Sequence, residues 1–419
     1  MLSYFFTIVF SIFAVVCRFQ CYNIVYPYRK AETSLEHLIN ERVKNIQISG
    51  IRKFFNLVGG MDDIVSLTIG QPDFPTPDHV KEAGKTAITD NYTTYTHNAG
   101  FLELRKAAAD FVHSKYDITY SPDSEVIVTV GASQAIDIAL RTVLSPGDEV
   151  ILPGPVYPGY EPIIHMCQAT VRAVDTRASG FKLTAELISK ALTDKTKAVI
   201  LPYPSNPTGV SLTEAELKDI ADLLRGKEVF VIADEIYSEL TFDMPHVSIA
   251  SFLREQTIVL NGLSKSHAMT GWRIGFLFAP EAIAKHILKV HQYNVSCASS
   301  ISQMAALEAV SAGINDAVPM RTEYKKRRDY VFDRLANMGL DVIKPDGAFY
   351  FFVAIPDYIE DSSFDFCYRL AMEQKVAVVP GSAFSEFGEG YFRLSFACSM
   401  EELRKGLDRI EAFFKTTNK

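Results

Sequence analysis

Asn261-Gly262-Leu263-Ser264-Lys265-Ser266-His267-Ala268-Met269-Thr270-Gly271-Trp272-Arg273-Ile274-Gly275 sets one lysine among small residues, with an arginine eight positions further on. An amine that condenses with an aldehyde needs uncrowded approach, and small neighbours provide it. An arginine fork matches the oxygens of a phosphate. An ordinary basic loop would carry the same two residues, so the reading depends on what surrounds this stretch.

Working outward, short β-branched runs alternate with amphipathic ones from Glu125 onward. Strands are expected over Glu125–Val130, Glu149–Pro153, Val171–Asp175, Ala198–Pro202, Val229–Ala233, Thr257–Asn261 and Arg273–Phe278. Helices are expected over Gln134–Leu144, Ala185–Leu192 and Glu214–Leu224, the last opened by a capping box, Thr213-Glu214-Ala215-Glu216. Seven strands with helical crossovers imply an α/β fold whose mainly parallel sheet is covered on both faces. Beyond Ala279 the pattern turns helical through Ile283–Val290, Ser302–Ser311 and Thr322–Asn337. Strands Ala348–Val353, Val376–Val379 and Tyr391–Phe396 and a helix Met400–Phe414 close the chain. The expected organisation is a large domain over 76–315, a smaller α/β domain over 316–419, and an arm over 36–75 that joins the smaller one.

At 419 residues the chain is long enough for two domains, and 48% apolar with 22% charged residues is a globular composition. A net charge of -8 argues against nucleic acid or anionic membrane as a partner, since both reward basic surface. The six cysteines form neither a disulfide framework nor a C-x-x-C metal pair, which fits a reducing cytoplasm and no metal. Leu2 to Cys17 is almost wholly apolar, yet shorter than the roughly 20 residues of a spanning helix, and it lacks a basic n-region. Residues 1–35 are therefore expected to stand outside the working fold, as an over-extended translation start would. A membrane anchor is the alternative, and it alone would bring membrane contact.

In open α/β sheets ligands collect at the carboxyl ends of strands, and the informative residues fall there. Gly131-Ala132-Ser133-Gln134-Ala135 opens a helix after the first strand, where backbone N–H groups and a hydroxyl suit a phosphate. Pro153-Gly154-Pro155-Val156-Tyr157-Pro158-Gly159-Tyr160 is a stiff loop whose aromatic ring could carry a planar cofactor. Ser205-Asn206-Pro207-Thr208-Gly209 offers Asn206 as a neutral donor towards a phenolate oxygen. Asp234-Glu235-Ile236-Tyr237 brings a carboxylate out of an apolar strand, where it needs a cation such as a protonated pyridine nitrogen. Tyr237 could reach the same phenolate oxygen. Each feature alone has a bland reading: a glycine turn, a packed ring, an Asn-Pro turn, a helix cap. Together with Lys265 and Arg273 they make six features at predicted strand ends, and pyridoxal 5'-phosphate is the cofactor that needs all six.

The Ser-Asn-Pro-Thr-Gly block, Asp234-x-x-Tyr237 and Ser264-Lys265 with Arg273 resemble the class I/II aminotransferases of PLP fold type I, from about Leu38 to the C-terminus. That resemblance implies Lys265 as the Schiff-base lysine and general base, and Asp234 on the pyridine nitrogen. Asn206 and Tyr237 would serve the phenolic oxygen and Tyr157 the ring face, while Ala132, Ser133, Gln134, Ser264 and Arg273 would surround the phosphate. Tyr95 would reach the phosphate bound by a partner subunit, in a homodimer with shared sites. Gly70 and Arg393, in Phe392-Arg393-Leu394-Ser395-Phe396, would hold the substrate α-carboxylate together with Asn206. Gly262 departs from the pattern, because a phosphate-binding serine is usual three positions before the lysine, so altered phosphate contacts are expected.

The activity implied is ping-pong transfer of an amino group between an L-amino acid and a 2-oxo acid. Within the family, Ile69-Gly70-Gln71-Pro72-Asp73-Phe74 and His291-Gln292-Tyr293-Asn294-Val295-Ser296-Cys297 are similar to bacillus-type aromatic or N-acetyl-L,L-diaminopimelate aminotransferases. The donor expected is N-acetyl-L,L-diaminopimelate, with 2-oxoglutarate as acceptor. Aromatic or aspartate-type transamination and a C–S β-lyase are the alternatives. Arg52 could meet a distal carboxylate or be a solvated helix residue, and is read as the latter. A PLP-sensing transcription regulator fails on the acidic charge and on the short, hydrophobic segment ahead of the match.

Overall fold

In a computed structural model, residues 35–417 are described. Apart from its last residue, the hydrophobic extension expected over 1–35 lies outside them, as do Cys17 and Cys21. Residues up to Asn45 form a unit of their own, with a 3-10 turn Leu35–Leu38 and a helical turn Glu41–Asn45. Everything below concerns the unit from Ile46 onward.

Twelve strands are found among the described residues: β1 (Val65–Ser66), β2 (Val126–Thr129), β3 (Glu149–Gly154), β4 (Thr170–Asp175), β5 (Thr196–Leu201), β6 (Phe230–Asp234), β7 (Thr257–Gly262), β8 (Gly275–Phe278), β9 (Tyr350–Ala354), β10 (Val376–Ala377), β11 (Val379–Pro380) and β12 (Tyr391–Ser395). Seven of them form one sheet in the order β2-β8-β7-β6-β5-β3-β4, parallel except for β8, which runs antiparallel to both its neighbours. Side-chain alternation explains why these runs are apolar throughout. Val126 and Val128, Val199 and Leu201, Val231 and Ala233, Val259, and Phe276 and Phe278 enter one core. Ile127, Ala198 and Ile200, Ile232, Ile258 and Leu260, and Leu277 enter another on the opposite face. Both faces are covered, as the expected crossovers require.

A third core gathers Phe54, Val58, Val65 and Leu67 with Phe349, Phe351, Phe366, Phe392, Leu403, Ile410 and Phe413. Here β11-β12-β9 form an antiparallel sheet, and β1 pairs in parallel with β10. Val376–Val379 was expected as one strand, but the chain switches sheets at Val378 and makes two short ones. The capping box at Thr213 is present, with the Thr213 hydroxyl accepting from Glu216 N and the Glu216 carboxylate accepting from Thr213 N. Two helices, Asp78–Thr89 and Leu102–Tyr116, precede β2 where no element was expected. In the first, only Val80, Gly84 and Ala87 are buried, a stripe too small to stand out as apolar. Gly84 belongs there because a Cβ would lie 2.6 Å from the Trp272 ring.

Among the described residues, no helix is long and apolar enough to cross a membrane, no side-chain group could hold a metal ion, and Cys167, Cys297, Cys367 and Cys398 are free.

Candidate active site

Beyond the carboxyl ends of the parallel strands opens a cavity of about 750 Å³. It is lined by Gly70, Ala132, Ser133, Tyr157, Asn206, Asp234, Tyr237, Ser264, Lys265, Arg273 and Arg393, so most of the residues singled out in the sequence meet in one space.

Asp234 is the last residue of β6 and is 6% exposed. Its Oδ2 accepts from the Tyr160 hydroxyl at 2.6 Å and its Oδ1 from Ile236 N at 3.2 Å. No cation pairs with it among the described residues. Burial pushes its carboxyl above the usual range, and these two donors pull the other way. A cationic ring nitrogen would supply the missing charge. Tyr160, read from sequence only as a loop tyrosine, thus shares the work assigned to Asp234. Nothing local could reveal this, because the contact joins the start of the helix Tyr160–Met166 to the end of β6, 74 residues on.

Lys265 lies just past β7, in a helical turn Leu263–Ser266. Its Nζ donates to the Gly70 carbonyl at 2.5 Å and sits 5.6 Å from the ring centres of Tyr237 and Phe349. Burial first, then repulsion from Arg393 and Arg273, lowers its ammonium to about 8, opposed by Asp234. An amine close to neutrality is what a nucleophile or base requires.

Arg273 was expected as the first residue of a strand Arg273–Phe278; instead it precedes β8 in left-handed backbone with φ 52°. It reaches the site because β8 is antiparallel, so its start lies beside the ends of β2 and β7: Thr129 pairs with Gly275, and Gly262 with Gly275. Two glycines make room. A Cβ on Gly131 (φ 74°) would lie 2.7 Å from Arg273 Nη2, and one on Gly275 would lie 2.8 Å from Ala132 N. The guanidinium therefore rests against the start of the helix Gly131–Val143, whose first turn has no side-chain cap. Anion-binding N–H groups and a fixed cation converge there, beside Ser133.

Arg393, on β12, is 2% exposed. Its Nη1 donates to Asn206 Oδ1 at 2.9 Å and its Nη2 to the Thr68 carbonyl at 2.7 Å. The Tyr350 and Phe384 rings flank it at 4.3 and 5.0 Å, and its Nε has no partner. With its Oδ1 engaged by arginine, Asn206 keeps its NH₂ to donate elsewhere. The Tyr237 hydroxyl meets that of Tyr350 at 2.9 Å, a residue sequence reading did not single out.

Three positions fall outside the cavity. The Gln134 side chain turns away, its Oε1 accepting from Val130 N at 2.8 Å and its Nε2 lying 3.0 Å from His291 Nδ1, so it supports the helix start from behind. Tyr95 is 87% exposed, at the surface. Gly262 packs against β8, where a Cβ would come within 3.1 Å of Gly275 Cα; a serine there would crowd the strand, and Ser264 lines the cavity instead.

The donor set fits pyridoxal 5'-phosphate. A buried carboxylate without a cation, an amine near neutrality, a neutral amide donor, and an arginine packed on an uncapped helix start each answer one part of that molecule. Sequence comparison agrees. Residues 62–410 match the family model described as aminotransferase class I and II. A probable N-acetyl-LL-diaminopimelate aminotransferase of Bacillus subtilis is 66% identical over 90% of this chain and 96% of its own. An aspartate aminotransferase of Pyrococcus abyssi is 41% identical over 89% of this chain and 97% of its own. The crystal structure of an aromatic aminotransferase from Pyrococcus horikoshii superposes with a TM-score of 0.82 at 39% identity, covering 88% of this chain and 99% of the other. With its cavity and its sequence in agreement, the chain belongs to the class I and II aminotransferases and is an enzyme of pyridoxal-phosphate-dependent transamination.

Proposed function

We propose that this aminotransferase uses N-acetyl-L,L-diaminopimelate as amino donor and 2-oxoglutarate as acceptor. The Bacillus subtilis relative, 66% identical, supports the donor. The observation that carries the chemistry is the meeting of Lys265, Asp234, Arg273 and Arg393 around one cavity.

Bound pyridoxal phosphate supplies an aldehyde and a cationic ring that withdraws electrons from the substrate carbon. Arg273, Ser133, Ser264 and the N–H groups of Ala132 and its neighbours hold the phosphate. Asp234, steadied by Tyr160, keeps the ring nitrogen protonated. Tyr157 covers a ring face, while Asn206 and Tyr237 donate towards the ring oxygen. Arg393 grips the α-carboxylate, with Gly70 beside it, and so turns the Cα–H bond towards Lys265. Lys265 Nζ takes that proton as the base and would return one as the acid, and its lowered pKa suits both directions.

The organisation proposed is a large domain over 76–315 and a smaller one over 316–419 joined by the arm. The separate third core, which draws on Phe54, Val58, Val65 and Leu67, supports that reading. We also propose a homodimer, in which the exposed Tyr95 reaches the partner's site, and a cytoplasmic location.

The test is a comparison of kcat/KM for N-acetyl-L,L-diaminopimelate, L-aspartate and L-phenylalanine with 2-oxoglutarate as acceptor. The first should exceed the others by about tenfold or more, the size of one well-used polar contact. A faster reaction with aspartate or phenylalanine would replace the donor named here. Pyruvate and ammonia released without any 2-oxo acid would reveal the lyase.

A further inference from the structure

Tyr350 opens β9, and the register of its sheet decides what it touches. Phe352 lies opposite Arg393 on β12, so Tyr350, two residues earlier, projects from the same face one diagonal step away. Its ring accordingly lies against the Arg393 guanidinium, 4.3 Å from the ring centre. Its hydroxyl meets that of Tyr237 at 2.9 Å. The two rings cross edge to face at 6.0 Å, and Phe349 packs against both, at 5.5 Å from Tyr237 and 4.7 Å from Tyr350. Tyr237 is 5% and Tyr350 1% exposed, so packing holds the pair in this arrangement.

A tyrosine hydroxyl carries one proton and can accept a further hydrogen bond on its oxygen. Between two hydroxyls in contact one donates and the other accepts, and the surroundings decide which. Among the described residues, Tyr237 is the one hydrogen-bond partner of the Tyr350 hydroxyl. Gly70 crowds the same oxygen, a Cβ there lying 3.2 Å away, and its carbonyl is engaged by Lys265 Nζ. The charged groups facing the pair are Arg393, Asp234 and Lys265. Asp234, the acceptor among them, is taken by Tyr160 and by Ile236 N. The Tyr350 proton therefore goes to Tyr237, which leaves the Tyr237 proton to point into the cavity. Burial raises both phenols above their usual range, so both keep their protons near neutral pH.

We infer that Tyr350 is a positioning residue, whose hydroxyl donates to the Tyr237 oxygen and so aims and strengthens the hydrogen bond that Tyr237 gives to the ring oxygen of the cofactor. The inference rests on the role proposed above for Tyr237. A hydroxyl that accepts one hydrogen bond gives a stronger one, by roughly 10–30%. A stronger donor draws negative charge from the ring oxygen. It thereby lowers the proton affinity of the nitrogen that joins the cofactor to Lys265.

The experiment titrates the visible absorbance of the bound cofactor against pH in the wild type, Tyr350→Phe, Tyr237→Phe and the double variant. Phenylalanine keeps a ring against Arg393 and removes the hydroxyl alone. A full absorbance band shows that each variant is folded and loaded. Tyr350→Phe should raise the midpoint by about 0.1 to 0.7 unit, the stated fraction of a hydrogen bond to a charged group. Tyr237→Phe, which removes that bond entirely, should raise it by roughly one to two units. Added to Tyr237→Phe, Tyr350→Phe should change nothing further, whereas a general effect on packing would persist. An unmoved or lowered midpoint in Tyr350→Phe would overturn the inference, the lowered one by showing that Tyr237 gives its proton to Tyr350. So would an equal shift in the Tyr237→Phe background, and each of these results leaves the role of Tyr237 intact. A midpoint that Tyr237→Phe leaves unmoved would overturn that role and the inference with it.

Discussion

At the Arg273 end of the cavity, main chain closes on main chain, whereas at the Arg393 end side chains from distant segments surround one guanidinium. The first end depends on absent atoms: Gly131 and Gly275 leave the gaps that Arg273 and Ala132 N occupy. The second depends on Thr68, Asn206, Tyr350 and Phe384, contributed by segments some 300 residues apart. Both ends must be rigid, but only the second must let substrates enter and leave. Backbone closure suits a group held through every turnover, and a polar side-chain cage suits an anion that exchanges. The segment joining the two ends is anchored too. Asp73, three residues past Gly70, pairs with Arg327 at 2.8 Å and accepts from the Tyr324 hydroxyl at 3.0 Å. This holds in place the Gly70 carbonyl on which Lys265 rests.

The comparison breaks most readily at the cage. Arg393→Lys keeps a positive charge but loses the planar fork, and an ammonium cannot hold Asn206 Oδ1, the Thr68 carbonyl and a carboxylate in one plane. Expected is a fall of about 100-fold in kcat/KM for amino acids, with cofactor affinity changed by less than about threefold. Steady-state kinetics and a cofactor-release assay check it. Equal damage to both would mean that the two ends are not independent.

Gly131→Ala attacks the other end. The residue adopts φ 74°, and the new Cβ would meet Arg273 Nη2 at 2.7 Å. Strain of about 1–3 kcal/mol, if all of it falls on the bound state, corresponds to a loss of roughly 5- to 150-fold in affinity for pyridoxal phosphate. A value near the lower end is expected, because a guanidinium can shift more easily than a backbone. KM for amino acids should hold once the enzyme is saturated with cofactor. Titration of apoprotein with pyridoxal phosphate measures it, and an unchanged affinity would remove the backbone-closure argument.

These two ends also differed in how far they could be read from sequence. The Arg273 end is local: Gly131-Ala132-Ser133 opens a helix, and Lys265 and Arg273 share one stretch, so spacing alone brings them near. Asp234 and Asn206 were legible for the same reason, each following an apolar strand whose direction fixes its exit. What stayed hidden came from tertiary packing. Tyr160, opening the helix Tyr160–Met166, finds Asp234 at the end of β6, and Tyr350 on β9 finds Tyr237 from 113 residues away within the third core. Arg273 lines the cavity because the antiparallel run of β8 brings its start to the ends of β2 and β7, which the sequence pattern did not show. Gln134 shares a motif with Ser133, yet helical rotation carries its side chain to His291.

Lys265 offers the finest comparison, because both ends press on it. Its ammonium is lowered from 10.5 to about 8 by burial, then by Arg393, then by Arg273. In the apoprotein the folded amine is neutral between about 8 and 10.5 while the unfolded one is still protonated. Folding then sheds a proton, and this group's contribution to stability rises with pH across that window and is at its most unfavourable below it. Capture of added pyridoxal phosphate needs the neutral amine, so its rate should climb about tenfold from pH 7 to 9 and then level off, as the neutral fraction does for a pKa near 8. Lys265→Ala should abolish covalent capture at every pH. Removing one neighbouring charge raises the midpoint, and Arg393→Gln should raise it further than Arg273→Gln, because Arg393 is the stronger of the two influences on the amine. Stopped-flow absorbance across pH gives the three midpoints. A larger shift from Arg273→Gln would mean that the phosphate end, not the carboxylate end, tunes the lysine.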